Sequence, residues 1–503
     1  MWDETYRSES ANDASCGFGI DICRDGDLVV AGDNKNQDDN YDFIRIADCE
    51  LNYSNYSTDM ISAHSDGVTI SVLSQLLGST GTLNLTTDKQ IKGRLVIENG
   101  CTVNVSNGAK LQFADMDKMV VDAVSNGFEY GVVIQPGGKL QLENGAILTS
   151  LEGCKHKWRG VEIQASGSPD QAVASTIGIL EMTNSLITNA ICGVSVQGGG
   201  LITCTNTDAS GDNNTDDLDM VNFDNNRKAV AFYSFSPDNK SRFNFTNFKF
   251  TTPTNVIDFG NIGLNAFVTM WDVNKIIFNG CTFKNTYTGP YRVGFGIGAL
   301  DASFQVLRGN ESSSGNPNDG PTGRIPVFEN VIIGINNDRT PSNTQAGLIG
   351  VGEADFNNCG IGWECDKDNA PLAYNNKFYW DNNMSNFPMQ LATTSYGFRS
   401  INTDDVKLHE NHFTTSGTNS IVTAIGIENS TAFAHKSLLR KNFFTNNSSS
   451  NGIKSGVRTS GDNGLFELRC NQFKSISDID LSLIHISEPT RLRRISYAVF
   501  CLK

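Results

Sequence analysis

The stretch IENGCTVNVSNGAKL at residues 97–111 is followed by a second stretch, IQPGGKLQLENGAIL at residues 134–148, that repeats its pattern. Both contain Asn-Gly-Ala, at 107–109 and at 144–146. Apolar and polar residues alternate on either side of each Asn-Gly, which is typical of strands with one buried face. Glycine permits the left-handed backbone of a tight turn. The pair therefore predicts short strands joined by tight turns.

A second repeat lies near the end of the chain, in VKLHENHF, LLRKNFF and FELRCNQF. It reads Leu-x-x-Asn-x-Phe, and its copies are 31 and 29 residues apart. Short strands that recur at this spacing predict a solenoid, in which each repeat packs on the next. The copies are Leu408/Asn411/Phe413, Leu439/Asn442/Phe444 and Leu468/Asn471/Phe473. Looser copies with the same inward positions are predicted at Phe245/Phe248/Phe250, Phe278/Cys281/Phe283, Phe328/Val331/Ile333 and Phe356/Cys359/Ile361.

Two kinds of solenoid compete, because Leu-x-x-Asn-x-Phe also resembles half of a leucine-rich repeat. Such a repeat needs a bulky apolar residue five positions before the Leu, where this chain has Thr403, Ala434 and Asn463. The segments between the copies, such as TTSGTNS, are poor helix formers. A parallel β-helix fits better, because inward Asn side chains at its turns can hydrogen-bond to their copies in the coils above and below.

The composition excludes some classes of function. The 503 residues carry a formal net charge of −16, which disfavours binding to nucleic acid and to anionic membranes. No run of about eighteen apolar residues occurs, so no membrane span is predicted. The start, MWDETYRSES, lacks the features of a signal peptide.

The tail LSLIHISEPTRLRRISYAVFCLK, residues 481–503, differs from the rest of the chain in composition. Its back-translation resembles a sequencing adapter, so we expect it to be a non-native read-through and exclude it from the fold. Without the tail, Lys and Arg fall from 39 to 35 and Asp and Glu from 55 to 54, which gives a net charge of 35 − 54 = −19. The chain is then expected to be a fragment of a longer gene product.

Residues 80–480 resemble the right-handed parallel β-helix (pectin-lyase-like) proteins, in particular secreted surface proteins of Bacteroidetes that use type IX secretion. The resemblance rests on LVIENGCTVNVSNGAKLQF, GVVIQPGGKLQLENGAILTS, KWRGVEI, GILEMTNSLITNAICGV and FDNNRKAVAF, in that order. It implies an all-β solenoid and a secreted or cell-surface location. It also implies a terminal β-sandwich sorting domain, which this sequence lacks.

The first residues have a different pattern. GIDICRDGDLVVAG followed by DFIRIADCE predicts three strands separated by a turn and a polar loop. Residues 1–55 therefore resemble one blade-type repeat of a β-propeller.

The segment INTDDVKLHENH is the first candidate for catalysis. Its Asn-Thr-Asp resembles the first acidic motif of polygalacturonases, enzymes that flank the glycosidic bond with carboxyl groups. The other motifs of that family are missing downstream, and alternation places Leu408 and Phe413 inside, so we expect a solvated coil. The candidate side chains are Asn402, Asp404, Asp405, His409 and His412.

The segment DASGDNNTDDLD is a candidate calcium loop, since it places oxygens at alternating positions. Its glycine stands fourth and not sixth, so it is not an EF-hand. A solvated loop between coils is the preferred interpretation. Its oxygen-bearing residues are Asp208, Ser210, Asp212, Asn214, Asp216 and Asp219.

A small cluster of basic and aromatic residues could bind an anionic sugar. We expect instead that its tryptophan is buried at a turn of the coil. The cluster consists of Lys155, His156, Lys157, Trp158 and Arg159.

Eleven cysteines precede the tail, without the Cys-x-x-Cys pairs of a zinc site. Small buried core side chains are the preferred interpretation, and disulfides are the alternative.

The sequence therefore predicts a monomeric, non-catalytic β-helix outside the cell or at its surface, an adhesive scaffold or one that binds a glycan or another partner. No catalytic residue, cofactor-binding residue or metal ligand is assigned, and calcium is the one cofactor considered. The alternative is a polysaccharide lyase or glycoside hydrolase that acts on an acidic polysaccharide. The exposed face of the parallel sheet discriminates between them: carboxylates, Arg and Lys favour the enzyme, whereas Asn, Thr and Ser favour the scaffold.

Overall fold

The structure is a computed structural model that describes residues 15–22, 28–34, 41–46, 70–72, 79–91, 94–113, 131–150, 158–205, 220–251, 266–286, 293–309, 324–340, 349–367, 370–381, 395–416, 421–429, 436–448, 452–461 and 465–476. Three parallel sheets of thirteen strands each wind into a right-handed β-helix. Every coil contributes one strand to each sheet. The leucine-rich alternative is wrong, because the described residues contain no helix longer than the 3₁₀ turn at Ala174–Thr176.

Sheet 1 begins each coil and carries the longest strands. They are β4 (Ile70–Val72), β7 (Arg94–Ile97), β10 (Gly131–Ile134), β13 (Val161–Ile163), β16 (Cys192–Val196), β19 (Lys228–Phe232), β23 (Ala266–Trp271), β27 (Val293–Leu300), β30 (Val331–Asp338), β33 (Ile361–Asp366), β36 (Ser395–Ile401), β39 (Ile421–Asn429) and β42 (Gly452–Gly461).

Sheet 2 follows after a first turn. Its strands are β5 (Thr82–Leu85), β8 (Thr102–Val105), β11 (Lys139–Leu142), β14 (Ile179–Thr183), β17 (Leu201–Thr205), β21 (Arg242–Asn244), β25 (Ile276–Asn279), β28 (Phe304–Leu307), β31 (Gly350–Gly352), β34 (Leu372–Tyr374), β37 (Val406–His409), β40 (Lys436–Arg440) and β43 (Leu465–Arg469).

Sheet 3 completes the coil after a tight second turn. Its strands are β6 (Lys89–Ile91), β9 (Lys110–Phe113), β12 (Ile147–Ser150), β15 (Leu186–Thr188), β18 (Asn222–Asp224), β22 (Asn247–Phe250), β26 (Thr282–Asn285), β29 (Val327–Glu329), β32 (Asp355–Asn357), β35 (Lys377–Trp380), β38 (His412–Thr415), β41 (Phe443–Asn446) and β44 (Gln472–Lys474).

Two small sheets lie outside this pattern. Strands β1 (Ser15–Ile22), β2 (Leu28–Asn34) and β3 (Tyr41–Ile46) form an antiparallel sheet, and β20 (Phe235–Asp238) pairs with β24 (Val273–Asn274). The three antiparallel strands agree with the strands predicted there, and their origin in a propeller stays a prediction. Residues 481–503 lie outside the described residues, so the adapter interpretation stays a prediction too.

The bore is filled by side chains that stack from coil to coil. In sheet 3 a run of phenylalanines stacks with ring centroids 4.6–5.3 Å apart and ring planes within 9° of parallel. Parallel strands in register place identical positions directly above one another, so offset aromatic rings meet face to face. The run comprises Phe223, Phe248, Phe283, Phe328, Phe356, Phe378, Phe413, Phe444 and Phe473.

The three strict Leu-x-x-Asn-x-Phe copies occupy equivalent positions, as predicted. The loose copy that ends in Phe283 is also in register, whereas three others are wrong. Phe328 and Phe356 were predicted at the Leu position of the repeat but occupy its Phe position. In the remaining copy the Phe position is occupied by Phe248, whereas Phe250 was predicted there. The error arose because Phe, Val and Ile all fill inward positions, so apolar spacing alone does not fix the register.

Candidate functional site

Alternation along sheet 1 separates an inward row from the outer face. Val230, Val268 and Ile335 are buried in the bore, so the residue that follows each of them points outward. Two outer rows result, each one residue wide and running along the solenoid axis with a spacing of about 4.8 Å per coil. The middle row is Ser195, Ala231, Thr269, Gly298, Asn336, Glu364, Arg399, Gly426 and Arg458, and the edge row is Tyr233, Trp271, Leu300, Asp338, Asp366, Ile401 and Glu428.

The edge row begins with exposed apolar side chains. Tyr233 is 39% exposed, Trp271 52% and Leu300 38%. Trp271 pairs with Leu300 of the next coil. In the preceding coil Phe232 pairs with Met270, so Tyr233, which follows Phe232, lies beside Trp271. The largest apolar patch on a protein surface is often a site for a ligand or a partner. We name these three residues the aromatic end of the edge row.

The same rows continue into an ion-pair network. Nη1 of Arg399 donates to Glu364 at 2.9 Å, while its Nη2 and Nε donate to Glu428 at 3.0 and 3.2 Å. The guanidinium also lies 5.2 Å from the ring centroid of Tyr396. Arg399 is thus held by two carboxylates and an aromatic ring, with its donors directed at protein groups.

Asp338 and Asp366 are two more carboxylates in the edge row. Together with Glu364, Arg399 and Glu428 they form what we name the charged end. Oδ2 of Asp338 accepts a hydrogen bond from Asn336 at 3.4 Å, and Oδ2 of Asp366 accepts one from Nζ of Lys367 at 2.9 Å. Burial raises the pKa of Asp338, and the neighbouring charge of Asp366 raises it further. This carboxyl group therefore holds its proton to a higher pH than an exposed one.

Glu364 is perturbed in the same direction. Burial raises its pKa, and the charge of Arg399 opposes the rise without cancelling it. Asp338 and Glu428 add to the increase through their negative charges. The charged end is therefore a crowded set of carboxylates, in which one arginine offsets part of the repulsion.

The segment considered as a candidate for catalysis is distributed over different faces. Asn402, Asp404 and Asp405 lie in the turn between sheets 1 and 2, and Asp405 pairs with Lys407 at 2.6 Å. His409 lies on sheet 2 and His412 on sheet 3, where it stacks on Phe443. The structure therefore does not bring these side chains together into one pocket. Leu408 and Phe413 are inside, as predicted.

The structure describes only some residues of the other two candidate segments. Trp158 is fully buried, as predicted; it stacks on Phe113 at 4.3 Å, and its indole N–H donates to the carbonyl of Thr188 at 2.8 Å. Residues 155–157 and the segment 208–219 lie outside the described residues. Within the described ranges, no group of three or more His, Cys, Asp or Glu could hold a metal ion.

The cysteines that the structure describes agree with the prediction of core side chains. Of the seven cysteines whose side chains the structure describes, none forms a disulfide and five are buried. They are Cys101, Cys204, Cys281, Cys359 and Cys365, while Cys192 and Cys470 are half-buried.

The two outer rows were not found from the sequence, although a signal exists. In successive coils a Gly or Ala stands directly before the inward residue. It is the first residue of the stretches GINND, GWECD, GFRSI, AIGIE and GVRTS. Their third residues are the middle row and their fifth residues the edge row. Aligning the sequence on this Gly or Ala would have placed the charged residues on one face.

Comparisons with known proteins identify similar folds. No protein-family model matches the chain, and no curated protein matches it either. In the described part of the chain, no helix is both long and apolar enough to cross a membrane.

Three solved structures are similar to this chain. PfbA, a surface adhesin of Streptococcus pneumoniae, matches with 9% identity and a TM-score of 0.37 over 83% of this chain and 90% of its own. A family 28 exopolygalacturonase of Yersinia enterocolitica matches with 10% identity and a TM-score of 0.30 over 90% and 83%. The periplasmic alginate epimerase AlgG matches with 10% identity and a TM-score of 0.24 over 82% and 84%. With identities of 10% or less and TM-scores below 0.5, these matches carry no conclusion about the activity of this chain.

Proposed function

We propose that the protein is a glycan-binding β-helix scaffold that works outside the cell or at the cell surface, with the outer face of sheet 1 as its binding face. The observation that carries the proposal is the aromatic end. Of the four large hydrophobic side chains exposed in the described ranges, Tyr233, Trp271 and Leu300 occupy adjacent coils in one row.

Aromatic side chains suit a sugar ligand because a pyranose ring presents C–H groups on its faces and hydroxyls at its edge. Trp271 can cover the C–H face, and the carboxylates of Asp338 and Asp366, one and two coils beyond Leu300, can accept hydrogen bonds from hydroxyls. A stable protein interface needs roughly 800 Å² from each partner around an apolar core. A row one residue wide that turns from apolar to charged fits a linear polymer better.

The test is binding to immobilised polysaccharides, measured by affinity electrophoresis with wild-type protein and Trp271→Ala. Loss of an aromatic contact of about 1.4 kcal/mol weakens binding about tenfold. The control is Tyr379→Ala, since Tyr379 is a half-buried aromatic residue on sheet 3, away from the binding face. Equal retardation of wild type and Trp271→Ala on every polysaccharide would refute the proposed binding face.

A second candidate is a glycoside hydrolase. The carboxylates and arginines on the outer face of sheet 1 favour it by the criterion drawn from the sequence, and so does the raised pKa of Asp338 and of Glu364. A carboxyl group that holds its proton to a higher pH than usual is suited to act as a general acid toward a glycosidic oxygen. Release of reducing ends from a panel of polysaccharides tests this candidate. Activity in wild type that is lost in Asp338→Asn or Glu364→Gln would establish the enzyme and replace the scaffold proposal.

A further inference from the structure

We infer that the binding face selects uncharged glycans and rejects acidic ones, and that Glu364 and Glu428 determine this specificity by occupying Arg399. The inference rests on the proposed function, and it concerns the charge of the ligand and not its existence. It runs against the acidic polysaccharide considered from the sequence.

The balance of charge along the face is negative. The edge and middle rows, with the residue that follows each edge-row position, carry six carboxylates and four cations in the described ranges, which gives a net charge of 4 − 6 = −2. A polyanion laid along these rows would bring its own carboxylates against this field. The six carboxylates are Asp272, Asp301, Asp338, Glu364, Asp366 and Glu428, and the four cations are Arg339, Lys367, Arg399 and Arg458.

Two of these cations are already held by carboxylates. Arg399 directs its Nε, Nη1 and Nη2 at Glu364 and Glu428, and Lys367 lies 2.9 Å from Asp366. Arg399 uses three of its five N–H donors on these glutamates, and their two charges outweigh its own. An acidic sugar at Arg399 therefore meets net repulsion unless it displaces one of them, which would leave that glutamate ionised and half-buried. Arg458 lies two coils beyond Arg399 in the middle row, at the opposite end from Trp271.

The carboxylates suit hydroxyl donors. An ionised carboxylate accepts hydrogen bonds and donates none, and bonds to a charged acceptor are stronger than neutral ones. Asp301 already accepts bonds from the backbone N–H and the hydroxyl of Thr340, both at 2.8 Å. Asp338 and Asp366 lie in the edge row itself. Oδ2 of Asp338 accepts one bond from Asn336 and Oδ2 of Asp366 accepts one from Lys367, so each of these oxygens can accept a further bond from a sugar hydroxyl. The aromatic end would then hold the C–H faces of the same chain.

The experiment compares matched pairs of hexasaccharides that differ only in charge, galactose with galacturonate and glucose with glucuronate, on an array at low and at high salt. We expect Trp271-dependent binding to neutral members and at least tenfold weaker binding to their acidic partners. The gap should narrow at about 1 M salt, because screening shortens the reach of the carboxylates to about 3 Å. The isosteric double variant Glu364→Gln/Glu428→Gln removes two negative charges and frees Arg399, so it should gain affinity for the acidic members.

The outcomes separate the two ideas. Trp271-dependent binding of acidic hexamers that equals or exceeds neutral binding in wild type overturns the selectivity and leaves the glycan-binding proposal standing. Absence of Trp271-dependent binding to every hexamer overturns both. The thermal unfolding transition of the double variant is measured first, to show that it folds. If it does not fold, the salt dependence of the wild type's preference for neutral hexamers tests the selectivity.

Discussion

The side-chain amide of Asn411 donates a hydrogen bond to Oδ1 of Asn442 at 3.0 Å, across 31 residues of sequence. The same bond joins Asn376 to Asn411 and Asn442 to Asn471, each at 3.0 Å. All four residues follow a left-handed residue in the tight turn between sheets 2 and 3, and all are buried. Buried polar groups must be hydrogen-bonded, and this ladder satisfies both the side chains and the backbone of the turns.

We predict that Asn442→Ala lowers the free energy of unfolding by about 2–4 kcal/mol. Oδ1 of Asn442 accepts from both the backbone and the side-chain amide of Asn411, and its Nδ2 donates to the carbonyl of Leu408 at 3.1 Å. The substitution leaves these buried groups without partners. Urea denaturation followed by circular dichroism measures the loss.

The matched control for Asn442 is Asn279→Ala. Asn279 donates to Oδ1 of Asn244 at 2.8 Å on the partly solvated outer face of sheet 2, where water can replace the lost bond. A loss of no more than about 1 kcal/mol is expected there. Equal losses at the two positions would mean that burial of the ladder does not set its contribution.

A close approach between sheets 1 and 3 gives the second prediction. A Cβ atom added to Gly362 would lie 2.5 Å from Cδ1 of Phe378 and 2.5 Å from the carbonyl oxygen of Gly397. Phe378 is stacked between Phe356 and Phe413, so its ring cannot move aside alone. We expect Gly362→Ala to cost about 1–3 kcal/mol by overpacking.

The control for Gly362 is Gly350→Ala on β31, where an added Cβ meets no atom within 4 Å. This substitution should be neutral or stabilise by up to about 1 kcal/mol, because alanine restricts the unfolded chain. Differential scanning calorimetry compares the two variants. A thermal midpoint for Gly362→Ala at or above that of Gly350→Ala would contradict the packing argument.

These positions show which features the sequence could reveal. Asn411 and Asn442 repeat at nearly constant spacing with an invariant chemical type, so both the fold and the ladder could be predicted from them. The outer rows could not be found in this way, because the residue type varies along each row, as from Trp271 to Asp338 to Ile401. They become a site only through the register between coils, and the loops between coils differ in length. The error at Phe328 has the same origin, since local apolar spacing does not specify which strand it belongs to.

The buried cysteines give a prediction about reactivity. Burial raises the pKa of the Cys281 thiol to about 12, against smaller opposing effects of hydrogen bonds and Arg324. The reactive thiolate is therefore rare at pH 8, and the side chain is enclosed in the bore. We expect iodoacetamide to leave Cys281 unmodified in the folded protein and to modify it in urea, as measured by peptide mass spectrometry.

The half-buried Cys470 is the internal control for this experiment. It should be alkylated in the folded protein before Cys281. Labelling of Cys281 at the rate of Cys470 under native conditions would show that the bore opens on the timescale of the reaction, and it would contradict a closed core at that coil.

Arg399→Met gives the last prediction, which concerns pH. Removing the guanidinium eliminates the charge that opposes the raised pKa of Glu364, so that pKa should rise further in the folded variant. A carboxyl group whose pKa is higher in the folded than in the unfolded state destabilises the protein at pH values above the folded pKa. That cost disappears as the pH falls below the unfolded value of about 4.3. The free energy of unfolding of the variant should therefore be about 1–3 kcal/mol below that of the wild type at pH 7, a range reduced because the groups are partly exposed. This difference should shrink as the pH approaches 4.

Urea denaturation between pH 4 and pH 7 measures this difference, with Lys407→Met as the matched control. Lys407 and its partner Asp405 are 46% and 44% exposed, so that pair should contribute no more than about 1 kcal/mol at any pH. A constant deficit for Arg399→Met across the range would attribute the loss to the packing of the arginine against Tyr396. A deficit that shrinks with falling pH would attribute it to the two glutamates, the same pair that we infer to keep Arg399 from an acidic ligand.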